Sequence, residues 1–356
     1  MKITYVSCCE RNCGIGRYIE ELSKEEYLNN KDIVLYRKGN PTEPYIKTYP
    51  YRSFKNLRLY IAPFYLANAM SNKKSDIWHA DYVDAGYALW LAMKKKQAII
   101  TTLHDAIPYI FIPPKKIDFS IYKNQLSISD KISKGLIVVS EKSKEDLIKY
   151  TKIKPEKIHV VYNGINHDFF YPDFEKKKNE IFTIRYSGGL GGRKNIELLL
   201  HTAKILEDKK IDFKMEISGM SVNSLGLPKI ANDLKLKNVF FPGFIADENL
   251  RSFLAEADLF LFPSLYEGFG FPPLEAMACG TATISSNTGS LPEIIQDGGI
   301  LAEPNPEIFA EEIIKLMENQ NLREKLSKKG LEVAKTFTWE KAAKETKEIY
   351  NNILNS

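Results

Sequence analysis

The chain has 356 residues, which suggests two domains of ordinary size, each large enough to bury a core of its own. Hydrophobic residues make up 44% and charged residues 27%, which fits a soluble globular class and excludes a disordered one. The net charge of +5, from 50 basic against 45 acidic residues, suits anionic ligands or lipid head groups but is too modest and unclustered to argue for nucleic acid.

The chain opens on MKITYVS, a first strand over residues 2–7 with no long apolar stretch behind it. No secretory signal or membrane-spanning segment is evident, so a cytoplasmic protein is expected. Cys8, Cys9 and Cys13 crowd the following loop without the paired spacing or histidines of a zinc site, and they read as small apolar residues in a reducing compartment, with a labile metal or redox role as the alternative. Gly14 and Gly16 open a helix running to about residue 29; a glycine turn here either lets backbone approach a ligand or is a plain tight turn. Residues 32–36 form the second strand. The segment 49–74 is rich in aromatic and basic residues, among them Arg52, Lys55, Arg58, Phe64 and Tyr65, and Pro63 is expected to interrupt or kink any helix in it. It reads either as a domain helix with a solvated basic face or as a face for a membrane surface or an acceptor.

A short strand over 76–79, a helix over 84–93 and a β-branched strand over 97–103 follow. His104 therefore sits at the C-terminal end of an apparent parallel strand, where open α/β sheets place ligands, although a lone histidine is usually structural. Strands over 135–140 and 158–162 flank a helix over 141–150. This alternation predicts an α/β fold with a parallel sheet and helices on both faces. Residues 166–180 are polar and without period, as a linker would be.

The alternation restarts with a strand over 182–187. The run Gly188-Gly189-Leu190-Gly191-Gly192-Arg193-Lys194-Asn195 then precedes a helix over 196–209. Backbone donors, a helix dipole and two cations together suit a diphosphate; a solvated turn with a chance Arg-Lys is the plain alternative. Strands over 214–219 and 238–243, a helix over 247–257 and the apolar run 257–262 come next. The glycine loop Tyr266-Glu267-Gly268-Phe269-Gly270 then enters a helix over 274–279, with Pro272 and Pro273 suited to its first turn. Such a loop leaves backbone N–H groups free for an anion. Glu267 and Glu275, eight positions apart, would repel a diphosphate beside them by about 1 kcal/mol each in a wet site. They are either solvated residues around a turn or acceptors for sugar hydroxyls. Helices over 291–296, 306–319, 322–335 and 338–353 complete the chain.

The setting EGFGFPPLEAMACG around Glu267 and Glu275 resembles the signature of retaining nucleotide-sugar glycosyltransferases of family 4, and residues 280–304 follow the same pattern. The resemblance implies the GT-B fold: α/β, two Rossmann-like domains facing across a cleft, with the C-terminal helix crossing back to the first. The domains would be an acceptor-side unit over 1–165, joined by the helix about 338–356, a linker over 166–180 and a nucleotide-sugar unit over 181–337. It further implies that Gly14 and Gly16 approach the diphosphate and acceptor and that His104 lies against the donor sugar. Gly189, Arg193 and Lys194 would take the phosphates, Ile245 would stand by the nucleobase, and Gly268, Phe269 and Gly270 would line the donor. Glu267 would hold the sugar hydroxyls and Glu275 the ribose. The expected partners are a nucleotide-diphosphate sugar and a glycan or lipid-linked acceptor, with peripheral contact at the inner face of the cell membrane if the acceptor is a lipid. The donor segment most resembles surface-polysaccharide enzymes using mannose, favouring GDP-mannose over UDP- or dTDP-sugars. No Asp-x-Asp motif stands near a strand end, so neither metal nor cofactor is expected. A nucleotide-sugar 2-epimerase of the same fold and a non-catalytic partner subunit are the rival readings; the glutamate pair with Arg193 and Lys194 argues against both.

Overall fold

Short apolar runs separated by helices build two parallel sheets, whose strands Ile3–Ser7, Ile77–Ala80, Ala98–Leu103 and Leu259–Phe262 are buried throughout. The computed structural model describes residues 1–7, 14–24, 31–35, 46–48, 58–111, 116–173, 175, 179–220, 222 and 225–355. Contacts divide the chain into one unit of Met1–Gly164 with Trp339–Ser356 and a second of Ile165–Thr338.

In chain order the first unit comprises β1 (Ile3–Ser7), α1 (Gly14–Lys24), β2 (Lys31–Leu35), β3 (Ile46–Thr48), α2 (Arg58–Met70), β4 (Ile77–Ala80), α3 (Val83–Leu91) and β5 (Ala98–Leu103). It continues through α4 (Ile107–Ile110), α5 (Lys116–Ile132), β6 (Gly135–Val138), α6 (Glu141–Tyr150) and β7 (Ile158–Val160). The sheet order is β3-β2-β1-β4-β5-β6-β7 and every pairing is parallel. Strand order therefore reverses between β1 and β4, the place where open sheets of this kind form a ligand crevice.

The second unit repeats the plan: β8 (Thr183–Ser187), α7 (Ile196–Asp208), β9 (Lys214–Ser218), α8 (Leu227–Asp233), β10 (Val239–Gly243), α9 (Asp247–Ala255), β11 (Leu259–Phe262), α10 (Phe271–Ala278), β12 (Thr283–Ser286), α11 (Leu291–Ile295), β13 (Ile300–Ala302), α12 (Pro306–Glu318) and α13 (Gln320–Ala334). Its parallel order, β10-β9-β8-β11-β12-β13, reverses between β8 and β11. The last helix, α14 (Trp339–Asn355), belongs to the first unit, where it buries Trp339, Ala342, Ala343, Thr346, Ile349, Tyr350 and Ile353. A Cβ added at Gly135 would meet Ile353 at 2.9 Å, so α14 lies close over β6.

Two local expectations are corrected. Helix α2 runs through Pro63 without interruption. The bond lost at the proline is offset by burial of Ala62, Leu66 and Met70 in one cluster with Ala85, Ala88 and Leu89 of α3. Phe64 and Tyr65 instead stand exposed, at 57% and 49%. Helix α10 begins at Phe271 rather than residue 274, and Pro272 and Pro273 lie in its first turn, where no N–H is needed. The aromatic and basic residues 49–57, like Cys8, Cys9 and Cys13, lie outside the described residues. Among the described residues no helix is long and apolar enough to cross a membrane.

Candidate active site

Three loops leave the C-terminal ends of the adjacent strands β8, β11 and β12 and meet around one carboxylate. The first, residues 188–195, passes through Gly188 at φ +152° and a 3-10 turn, Gly192–Lys194, and ends on Asn195 at φ +55° before α7. Arg193 and Lys194 therefore lie in that turn and not in the first turn of the helix. The second, residues 263–270, is the glycine loop, which enters α10 through Gly270 at φ +122°. The third, residues 287–290, braces it. Gly289, at φ +58°, has room for no Cβ, which would come within 2.8 Å of Glu267 N. Ser290 Oγ donates to the carbonyls of Glu267 (3.0 Å) and Phe269 (2.6 Å), while Thr288 Oγ1 donates to that of Ser264 (2.7 Å).

Glu267 is the centre of this arrangement. Arg193 Nη1 lies 2.8 Å from its Oε2, and Lys194 Nζ lies 2.5 Å from its Oε1. Ser264 Oγ donates to Oε1 at 2.6 Å. Arg193 Nη1 also donates to the Tyr266 carbonyl at 2.8 Å, and Leu265 N donates to the Arg193 carbonyl at 2.8 Å, so the two loops are tied both ways. Lys194 Nζ stands 4.9 Å from the centroid of the Phe262 ring. The side chains of Glu267, Lys194 and Arg193 are only 9%, 11% and 28% exposed. Burial alone would raise the Glu267 carboxyl, but the Lys194 and Arg193 charges and the bonds from Lys194 and Ser264 outweigh it and hold the group below the usual range. Burial likewise pulls the Lys194 ammonium down, against the attraction of Glu267. The result is an ionised, largely dry trio with its charges fixed in place.

The other expected site residues divide between the two units. Gly268, Phe269, Gly270 and Glu275 are buried with Glu267 in the loop and helix that follow β11. Gly189, Gly191 and Gly192 are exposed. A Cβ at Gly191 or Gly192 would meet nothing, and neither takes a left-handed φ. The fold thus does not itself require glycine at those two positions, whereas close approach of a ligand to their N–H groups would. Ile245 follows β10 and is half-buried, next to the exposed Phe244.

His104, Gly14 and Gly16 belong to the first unit. Gly14 and Gly16 lie in the first turn of α1, and the preceding loop is outside the described residues. His104 follows β5 and is buried. Its Nε2 makes no hydrogen bond among the described residues, while Tyr18 meets its ring edge-on at 5.0 Å between centroids. Burial pulls the ring down to about 4, and a hydrogen bond with the Asp81 backbone works the other way. Among the described residues no three His, Cys, Asp or Glu side chains come together as a metal-ligand set.

Sequence reasoning missed Ser264, Ser290 and Tyr186. Tyr186 is fully buried, and its hydroxyl donates to the Gly189 carbonyl at 2.5 Å, fixing the first loop. Ser264 could have been sought from its position three residues before Glu267. Nothing local in the sequence marks Tyr186 or Ser290.

Two parallel α/β units with this strand order define a GT-B fold, and solved structures agree over the whole chain. A sucrose-phosphate synthase of Thermosynechococcus elongatus superposes with a TM-score of 0.84 at 20% identity, covering 100% of both chains. HepE of Anabaena, solved in complex with UDP and glucose, gives 0.80 at 17% identity over 99% of this chain and 100% of its own. Residues 13–169 match the model described as Glycosyltransferase Family 4, and residues 169–333 match that described as Glycosyl transferases group 1. The chain belongs to these glycosyltransferases. Among its relatives is O-antigen chain mannosyltransferase B of Escherichia coli, 27% identical over 288 residues that span 76% of this chain and 74% of the relative.

Proposed function

We propose that the chain is a retaining hexosyltransferase that moves a hexose, mannose from GDP-mannose in the favoured case, to the hydroxyl of a glycan or lipid-linked acceptor. The observation that carries this reading is the buried trio of Arg193, Lys194 and Glu267 at the strand ends of β8 and β11. A nucleoside-diphosphate sugar joins an anionic diphosphate directly to a ring of hydroxyls. A pair of cations touching one carboxylate offers complementary partners to both parts. Arg193, Lys194 and the N–H groups of the 188–192 loop and the α10 N-terminus offset charge on the leaving diphosphate. Glu267 accepts hydrogen bonds from sugar hydroxyls and Glu275 from the ribose, with Phe269 closing the loop and Ile245 beside the base. For His104 we propose a contact with the donor sugar, and for Gly14 and Gly16 an approach to the diphosphate and acceptor.

In the step itself the acceptor hydroxyl attacks the anomeric carbon on the face from which the nucleoside diphosphate departs. The bond from that carbon to the acceptor oxygen forms as its bond to the phosphate oxygen breaks, and a donor phosphate oxygen takes the hydroxyl proton. The protein stabilises charge and supplies no nucleophile of its own. The mannose preference rests on the E. coli relative, while HepE with UDP and glucose keeps uridine donors in the test. A thermal-shift panel of GDP, UDP and dTDP decides the base, since a ligand at 100 times its Kd adds about 2.7 kcal/mol. Stabilisation by GDP alone is expected; selective stabilisation by UDP or dTDP would reassign the donor.

We also propose a cytoplasmic protein, with peripheral contact of its first unit at the inner face of the cell membrane if the acceptor is lipid-linked. Phe64 and Tyr65 are exposed on α2, whose described helix carries no acidic residue in its first turn. Cosedimentation with anionic vesicles, weakened by salt, is expected. Retention in the supernatant at low salt would remove this contact.

A further inference from the structure

Within the first unit a chain of buried polar groups runs from the last helix to the ring of His104. Tyr350 of α14 bonds through its hydroxyl to His79 Nδ1 of β4, and His79 Nε2 lies 2.6 Å from Thr102 Oγ1 of β5. Thr102 Oγ1 also lies 3.2 Å from the Tyr18 hydroxyl of α1. Tyr18 then meets the His104 ring edge-on, at centroids 5.0 Å apart and 86° between planes, and meets Trp339 of α14 at 6.1 Å. His79, Thr102, Tyr350 and Tyr18 are each no more than 1% exposed. Thr102 and His104 are two apart along β5 and its end, which puts their side chains on the same side of the sheet.

The chemistry orders this chain. Burial, reinforced by the neighbouring His104, holds His79 uncharged, so its ring has one N–H and one lone pair. With the Tyr350 hydroxyl turned to that of Tyr5 at 3.5 Å, its oxygen is left to accept from His79 Nδ1–H. In that order His79 Nε2 accepts from Thr102, whose oxygen accepts from Tyr18. Losing the Tyr350 hydroxyl leaves this order free to reverse. An apolar replacement of the whole chain could pack equally well, and the linked polar groups end beside a histidine whose Nε2 is unpaired among the described residues.

We infer that Tyr350 is a positioning residue for His104, acting through His79, Thr102 and Tyr18, so that the end of the chain sets the geometry of a sugar-contacting ring. The inference rests on the reading of His104 given above. Its test removes one oxygen. Tyr350→Phe should lower kcat with GDP-mannose about tenfold, as small misplacements of catalytic geometry do, while the Kd for GDP stays within about twofold. In the same variant the ¹⁵N resonances of the His104 ring should move. Thr102→Val should reproduce the loss and Thr102→Ser should restore it. In a His104→Ala background Tyr350→Phe should change residual kcat by less than about twofold, because both act on one contact. A tenfold loss that persists undiminished in that background, or unmoved His104 resonances in Tyr350→Phe, would overturn the inference. Normal kcat in His104→Ala would remove the reading of His104 and the inference with it. A crippled His104→Ala beside a fully active Tyr350→Phe would remove the positioning role alone.

Discussion

Replacing Glu267 with glutamine separates the ion pairing seen at this side chain from the sugar contact proposed for it. The change keeps the shape and removes a negative charge lying 2.8 Å from Arg193 Nη1 and 2.5 Å from Lys194 Nζ. Breaking a buried ion pair by removing one partner costs about 3–5 kcal/mol. Arg193 is 28% exposed and can recover some hydration, so the lower end, about 3 kcal/mol, applies here. For a unit of about 170 residues that corresponds to a fall in Tm of roughly 6–12 °C. The two released cations are the groups proposed to meet the diphosphate, which in the native protein must compete with Glu267 for them. GDP should therefore raise the Tm of Glu267→Gln by more than it raises that of the native protein, while transfer falls by at least about a hundredfold through loss of the sugar contact. Differential scanning fluorimetry with and without GDP, calorimetric titration and turnover on one preparation give all three quantities. Loss of GDP affinity in proportion to loss of turnover would refute the assignment, and an unchanged Tm without ligand would refute the ion-pair argument.

Other outcomes follow from the same geometry. His79 and His104 are held by burial at about 3 and about 4, below the ordinary value of about 6.5, so between those limits the unfolded chain binds more protons than the folded one. Stability should then fall as pH drops from 6.5, by about 3 kcal/mol for the two rings together by pH 5; equal urea midpoints at pH 7 and 5 would contradict this. Glu267, held below the usual carboxylate range, adds stability that is present above that range and lost only on further acidification. Transfer should persist in excess chelator, because Arg193 and Lys194 are the groups proposed to offset the diphosphate charge. Collapse to background with rescue by magnesium or manganese would show that charge argument to be wrong. Gly289→Ala should cost stability and transfer together, since its Cβ would press on Glu267 N at 2.8 Å; native turnover in that variant would show that the loop need not be held so closely.

The α/β alternation and most of its strands were legible because buried parallel strands read as unbroken apolar runs. What escaped did so for identifiable reasons. Helix α5 buries Tyr122, Gln125, Leu126 and Ser129, a helical spacing in which half of the inward positions are polar, so its period does not show in hydrophobicity. Strand β12 reads TISS yet is wholly buried, because Thr283 and Ser285 bond to nearby carbonyls. Strand β13 is three residues long. At the site, the glycine loops and the two glutamates could be picked out locally, and the resemblance supplied their roles. The pairing of Glu267 with Arg193 and Lys194 joins positions more than seventy residues apart and depends on β8 lying beside β11, which no local pattern encodes. The linkage of Tyr350 to His79 spans most of the chain for the same reason.

The most direct measurement incubates the purified chain with GDP-mannose and an oligosaccharide acceptor and follows the anomeric proton and carbon of the transferred sugar by NMR. The account predicts GDP release coupled to a product with the anomeric configuration of the donor, lost in Glu267→Gln. A product of inverted configuration, or undiminished transfer by Glu267→Gln, would contradict it.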